Sequence, residues 1–480
     1  MKRFSTLLSL CLFLVGIGLS AQTTNYHITF EIENYDQDIL TIANNMLKQQ
    51  YVVDTLRRAE DGKFHFQSDT SELNKGIYLA VLAPDNDYFQ FMVGNEEPTF
   101  ELKGDKNNLA VMETRGSAEN KRFFDYLTFI GSQRKTDFEL SEKLKNPQLA
   151  AGEKEKLEAE REEIDKNVKQ YQEDLINNHS ETFAAAIIRA NKPVSPPAYT
   201  DLPEEKRREK QWRYMQKHYF DNLDLSDQRL LRTPFLFERI DYYVHKLHVK
   251  HPDSIALAIG KVLEQMEPGT DMLKVYLSHY LNEAARSKVV GMDAIYVYLI
   301  DNYYNKGLAP WADEDMLRKF RENADKLRPI LIGKTAPDIK MQKRDGSSVS
   351  LHEVDSDYTI LYFWQYECGH CQKSTPVMKE FYEKWKDQGV ELFAVCTKVG
   401  KEADGCWDYI DEKEISDWMH TVDPYLRSKF VKLYDVYQTP SVFVLDKDKK
   451  IVSKKIGAEQ LDDLMTRLKE MEATEEESGR

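Results

Sequence analysis

From Tyr26 the chain alternates, with Tyr26, Ile28, Phe30 and Ile32 apolar and His27, Thr29, Glu31 and Glu33 polar. This is the period of a half-buried strand. Further short apolar runs at 63–67, 77–82, 88–93 and 99–102 are separated by Gly, Asn, Asp and Pro. They predict a small antiparallel β-sandwich or barrel over 22–116. Past Ser117-Ala118-Glu119-Asn120 the pattern changes. Between Gly152 and His179 the apolar residues Leu157, Ile164, Val168, Tyr171 and Leu175 recur at helical spacing through a charged background, which predicts one long amphipathic helix. A stretch with Pro193, Pro196, Pro197 and Pro203 interrupts it, and helical patterning resumes to about Leu327. A central all-α region over 117–330 is therefore expected.

A third pattern begins after Ile332-Gly333-Lys334-Thr335-Ala336-Pro337. The run Tyr358–Trp364 reads as a buried strand, Cys368-Gly369-His370-Cys371 follows, and 374–389 has helical spacing. This predicts an α/β domain over 331–472, followed by a disordered tail at 473–480. A chain of 480 residues exceeds one ordinary hydrophobic core, in keeping with a multidomain architecture.

The amino terminus adds an address. Lys2 and Arg3 precede an apolar stretch from Leu7 to Leu19 that ends at Ser20-Ala21, the layout of a secretory signal peptide over 1–21 and too short for a membrane span. Cys11 lies inside that stretch behind Leu10 and lacks the setting of a lipidated cysteine. Export to the periplasm or cell envelope, with no membrane span, is the expectation. The formal net charge of −15 becomes more negative once Lys2 and Arg3 are removed. So acidic a surface repels phosphate backbones and anionic lipid, which argues against nucleic-acid partners.

Apart from Cys11 the cysteines are Cys368, Cys371, Cys396 and Cys406, too few for a disulfide scaffold in so long a chain and clustered as local chemistry requires. A strand that delivers C-x-x-C to a helix start places the first sulfur against unpaired backbone N–H groups and the helix dipole. Both favour the thiolate, and the second cysteine lies one turn on, within reach of a mixed disulfide. The same C-x-x-C can be half of a zinc site, but Cys396 and Cys406 have the wrong spacing for the other half, and no metal is expected. His245 and His248 could share a helix face as ligands; with no second ligand pair beside them, they read as packing or surface residues.

Several features at consistent separations now converge: Phe363-Trp364 before Cys368, Pro376 after Cys371, Thr439-Pro440 before the run 441–446, and the leading Gly-Lys-Thr-Ala-Pro. Residues 331–472 thereby resemble the TlpA/ResA-like branch of thioredoxin-fold thiol:disulfide oxidoreductases. The preceding part resembles, more loosely, the accessory regions of envelope TlpA-like proteins from Bacteroidetes, best at Gly116-Ser117-Ala118-Glu119-Asn120 and at 227–236. The resemblance implies an enzyme with Cys368 as nucleophile and Cys371 as resolving thiol. Thr439 would offer backbone hydrogen bonds to substrate beside a cis Pro440, Pro376 would kink the helix, and Trp364 would pack beside the dithiol. It further implies protein thiol or disulfide substrates, an envelope electron donor or acceptor, and no cofactor beyond the Cys368–Cys371 disulfide.

Two departures from the family stand out. Thioredoxin's buried carboxylate is replaced by Tyr362, and the glutamate of ResA-like proteins by Ser374, so proton transfer falls to Glu367, another residue or water. Between the cysteines, Gly369 is followed by His370, whose imidazole would favour the Cys368 thiolate and raise the potential. A reductase is the first reading; an oxidase or isomerase, and an adaptor whose dithiol is a redox-sensitive latch, remain open. Cys396 ends the run 390–395, which resembles a central strand of the fold, and Cys406 follows ten residues later. They could pair as a second disulfide that relays or stores oxidising equivalents, or stand unpaired or merely structural.

Overall fold

The computed structural model describes residues 26–68, 73–94 and 97–478; the expected leader, with Cys11, lies outside them. Contacts divide the chain into two compact units, residues up to 195 with 220–239, and 196–219 with 240 onward.

In the first unit, β1 (Tyr26–Glu33), β2 (Ile39–Met46), β3 (Gln49–Arg57), β4 (Phe64–Ser68), β5 (Gly76–Leu82), β6 (Asp87–Val93), β7 (Thr99–Asp105) and β8 (Met112–Arg115) form two four-stranded sheets, ordered β4-β1-β7-β8 and β3-β2-β5-β6. One core joins them, with Phe30, Phe64 and Leu102 from the first meeting Leu40, Tyr78 and Phe91 from the second. The sandwich-like expectation holds, but its purely antiparallel form does not. β1 and β7 are parallel neighbours, a pairing that needs a crossover, here the passage through the second sheet.

The helix α1 (Ala118–Leu144) starts against these sheets. Gly116 takes φ +81°, and a Cβ there would stand 2.8 Å from the Thr99 carbonyl oxygen. Ser117 caps the helix by accepting from the Asn120 N–H. The Asn120 side chain accepts from the Met92 N–H at 2.7 Å and donates to the Met92 carbonyl at 2.8 Å, clasping the end of β6. α2 (Ala151–Asn178) returns along α1, where Tyr171 stacks on Phe129 at 4.3 Å. α3 (Phe183–Asn191) is joined to α1 through the Glu119 carboxylate, which accepts from the Ala184 N–H at 2.7 Å.

The second unit contains α4 (Glu204–His218), the part of α5 (Leu236–Lys246) from Ile240 onward, α6 (Pro252–Leu263), α7 (Asp271–Arg286), α8 (Asp293–Leu299) and α9 (Glu314–Leu327). It also contains the sheet of β9 (Lys340–Gln342), β10 (Ser348–Ser350), β11 (Tyr358–Trp364), β12 (Val390–Cys396), β13 (Met419–Val422), β14 (Ser441–Asp446) and β15 (Ile451–Lys454), ordered β10-β9-β13-β12-β11-β14-β15. β11, β12 and β13 are parallel, and β14 is antiparallel to β11. Alternate residues feed two cores. Ile360, Tyr362 and Trp364 pack on the side of α10 (Gly369–Trp385), α11 (Asp404–Lys413) and α13 (Leu461–Ser478), while Leu361 and Phe363 pack on the side of Val349, Tyr434 and Phe430, which opens α12 (Phe430–Leu433).

Helices fill the region 117–330 as expected. α1 and α3 are fastened to the strands of the first unit, whereas α8 is fastened to β15 of the second. There the buried Lys454 ammonium meets Asp293 at 2.5 Å and donates to the Ile330 carbonyl at 2.6 Å. The disordered tail is also corrected. α13 continues to Ser478, because Glu, Met and Ala are good helix formers and Glu472 accepts from the Tyr358 hydroxyl at 2.7 Å.

Two stability outcomes follow. Asn120→Ala strips both backbone groups of Met92 of their partner, and urea unfolding should report a loss of about 2–3 kcal/mol. Lys454→Ala strands Asp293 beside an apolar core and should cost about 3–5 kcal/mol by the same measurement, whereas Lys454→Met combined with Asp293→Leu should be nearly neutral.

Candidate functional site

β11 is buried along its whole length between β12 and β14, so the point where the chain leaves the sheet is fixed. Trp364 pairs with Cys396, and the Trp364 carbonyl accepts from the Thr397 N–H at 2.8 Å. The short segment 365–367 then carries the chain to Cys368, which is the N-cap of α10 with extended backbone angles.

At that position the Cys368 sulfur accepts from the Cys371 N–H at 3.3 Å, and its S–H donates to the Thr439 carbonyl at 3.2 Å. Burial opposes ionisation of Cys368. Hydrogen bonds from the Cys371 thiol, the Cys371 N–H, the Thr439 hydroxyl and the His370 N–H outweigh it and hold the thiol below its ordinary value. Cys371, one turn into the helix, is 1% exposed. Burial, followed by the neighbouring Cys368, pushes its thiol up. Both cysteines are free thiols, so the site holds one accessible, readily ionised sulfur and one sequestered sulfur.

Around this pair the Thr439–Pro440 peptide is cis. Pro376 lies inside α10, and Gly369 opens the helix with free space around its Cα. Trp364 is buried in the same core as Cys371, with its ring 5.4 Å from that of Tyr409. The Tyr409 hydroxyl bonds to Thr375, which donates to the Cys371 carbonyl at 2.9 Å. Tyr362 faces this core as well, and its hydroxyl is buried with no hydrogen-bond partner among the described residues. Ser374 is half-buried on α10.

His370 and Glu367 both lie at the surface. The backbone N–H of His370 is among the groups that favour the Cys368 thiolate. Glu367 is exposed and turns to Lys398 at 2.5 Å; Lys398 also pairs with Glu402 and lies over the Tyr366 ring. An exposed, ion-paired carboxylate is poorly suited to take a proton from buried Cys371. The role of Lys398 escapes a reading of the sequence because its contacts join the loops after β11 and β12.

Cys396 and Cys406 are joined in a disulfide that ties the end of β12 to α11, and both are buried. No thiolate can approach either sulfur without local opening. His245 lies 3.4 Å from Glu283, and His248 donates to the Tyr243 carbonyl at 2.8 Å. Among the described residues no helix is long and apolar enough to cross a membrane.

Residues 332–454 match the AhpC/TSA family, and residues 150–326 and 26–123 each match a domain of unknown function (DUF5106 and DUF4369). The thiol-disulfide oxidoreductase ResA of Bacillus cereus is 31% identical over 149 residues, which cover 29% of this chain and 78% of that protein. The protein of the same name from Bacillus thuringiensis is 30% identical, covering 31% and 82%. Among solved structures, a domain of a possible thiol-disulfide isomerase from Cytophaga hutchinsonii is 35% identical, covering 30% of this chain and 98% of its own at a TM-score of 0.29. The chain is a multidomain member of the ResA-type thiol-disulfide oxidoreductases, with its thioredoxin-like domain at the carboxyl end.

Proposed function

We propose that the protein is exported and works in the cell envelope as a reductase of protein disulfides. One observation carries the mechanism: within a single helical turn, Cys368 is partly exposed with its thiol shifted down, while Cys371 is buried with its thiol shifted up.

The thiolate of Cys368 attacks one sulfur of a substrate disulfide. A Cys368–substrate bond forms, the substrate S–S bond breaks, and the first substrate sulfur leaves as a thiolate that takes up a proton. Cys371 then loses its proton and attacks the Cys368 sulfur, which releases the second substrate thiolate and leaves a Cys368–Cys371 disulfide. Two electrons have passed to the substrate. A dithiol of an envelope electron donor restores the pair by the reverse exchange. Thr439 and Pro440 would present backbone to the substrate, and the dithiol needs no cofactor.

Three outcomes follow. Alkylation of reduced protein by iodoacetamide should occur at Cys368 and follow a titration below the ordinary cysteine value of about 8.5; as pH falls through that lowered value the thiolate is protonated and the rate declines, while Cys371 reacts only after unfolding. Cys371→Ala should hold Cys368 in mixed disulfides that mass spectrometry of envelope extracts identifies, and Cys368→Ser should not. The equilibrium potential against glutathione should lie near about −270 mV; a value of about −180 mV or above would replace reduction by oxidation or isomerisation.

A further inference from the structure

α6 and α7 both pack on α8, and the chain enters α6 and α8 through the connections 247–251 and 287–292. A cavity of about 250 Å³ remains among α5, α6, α7 and α8. Its walls are apolar, with Ile255 and Ile259 from α6, Ala284 from α7, and Met292 and Ile295 at the start of α8. Val289 lines it as well yet is 63% exposed, so it stands at the mouth. The mouth is held in shape. Gly291 takes φ +87°, and a Cβ there would stand 2.9 Å from Ile332 Cδ1 and 3.1 Å from Pro252 Cγ, so the connection 287–292 lies close against both. The Met292 N–H closes the turn by donating to the Val289 carbonyl at 3.3 Å.

The polar groups of this cavity that keep unused capacity are donors. Tyr280 is 2% exposed, and no hydrogen bond within the protein reaches its hydroxyl among the described residues. Burial, followed by Tyr276, Glu283 and Asp241, pushes its ionisation far up, so the hydroxyl keeps its proton. The Ser287 oxygen accepts from the Val289 N–H at 3.2 Å, which leaves its own proton to give. Lys250, exposed on the connection between α5 and α6, has no ion-pair partner among the described residues. One carboxylate, Glu283, also borders the cavity, but it stands between two imidazoles, His245 at 3.4 Å and His279 at 3.7 Å.

We propose that the cavity among α5, α6, α7 and α8 is a binding site for a small amphipathic carboxylate. Small-molecule sites commonly measure about 300–1,000 Å³, so a cavity just below that range suits a ligand of about ten non-hydrogen atoms. Ile255, Ile259 and Ile295 take its apolar body. Its carboxylate oxygens, which only accept, meet the hydroxyls of Tyr280 and Ser287 and the ammonium of Lys250, which only lack acceptors. An amine of the same shape would bring donors to donors, and an alcohol would bring one oxygen without charge. The site lies in the segment that matches a domain of unknown function, and it stands apart from the dithiol chemistry.

The test is isothermal titration calorimetry of the full mature chain with octanoate, octanol and octylamine. Octanoate should bind at a single site about tenfold more tightly than octanol, the gain expected from hydrogen bonds to a charged group, with octylamine the weakest. Lys250→Ala should bring octanoate to the level of octanol and leave octanol unchanged. Tyr280→Phe, which keeps the ring and removes the hydroxyl, should weaken octanoate about fivefold. Ala284→Phe fills the cavity and should abolish binding of all three probes, with circular dichroism and a thermal melt checking its fold; if it fails to fold, the Lys250 and Tyr280 variants still decide. No octanoate binding at millimolar concentration, octylamine or octanol binding as tightly as octanoate, or an octanoate affinity that neither Lys250→Ala nor Tyr280→Phe moves overturns the site. Tighter binding of an acetylated tripeptide with a free carboxy-terminal Leu than of octanoate would overturn the free carboxylate and assign the cavity to a protein carboxyl terminus.

Discussion

The first turn of a helix has backbone N–H groups with no carbonyl partner inside the helix, and at the start of α10 the Cys368 sulfur stands where it can accept from them. That position depends on everything beneath it. β11 is buried between β12 and β14, its register with both is continuous, and the exit of the chain at Trp364 is pinned by Thr397. If the strand shifted by one residue, its side chains would exchange faces, moving Tyr362 and Trp364 into the opposite core. The two cores are therefore the means by which one thiol of a chemically identical pair is made reactive and the other held back.

How far the sequence speaks differs from place to place. β1 was legible because one face is buried and the other wet, as was the dithiol, whose spacing by itself specifies a helical turn. β2 and β3 were not: β2 carries Asn44 and Asn45, and β3 exposes nearly all its side chains, so neither has the contrast that marks a strand. The parallel pairing of β1 with β7 leaves no local trace, since it is decided by contacts between segments some seventy residues apart. At the site, Cys368, Cys371 and cis Pro440 could be named from the motif. The Lys398–Glu367 pair could not, because it is settled by a neighbouring loop.

The stretches 116–120 and 227–236, which stood out as family-like, act as fasteners within the first unit. Gly116, Ser117 and Asn120 lock α1 to β6, and Arg232 packs against Gly76, where a Cβ would stand 2.7 Å from the arginine Cβ. Asp227 caps the short 3-10 turn 228–232 that precedes Thr233. Their contacts are those of assembly. The dithiol chemistry lies wholly in the second unit.

The disulfide between Cys396 and Cys406 sits in the same core as Cys371, yet neither of its sulfurs is more than 1% exposed. One domain thus carries a pair of cysteines proposed to cycle and another pair that is formed and then sealed. Within its working life the protein would exchange two electrons, not four, per molecule. Forming the sealed pair is itself a two-electron oxidation, separate from the turnover of the other, and a chain that folds where thiols stay reduced would begin with the tie between β12 and α11 unfastened.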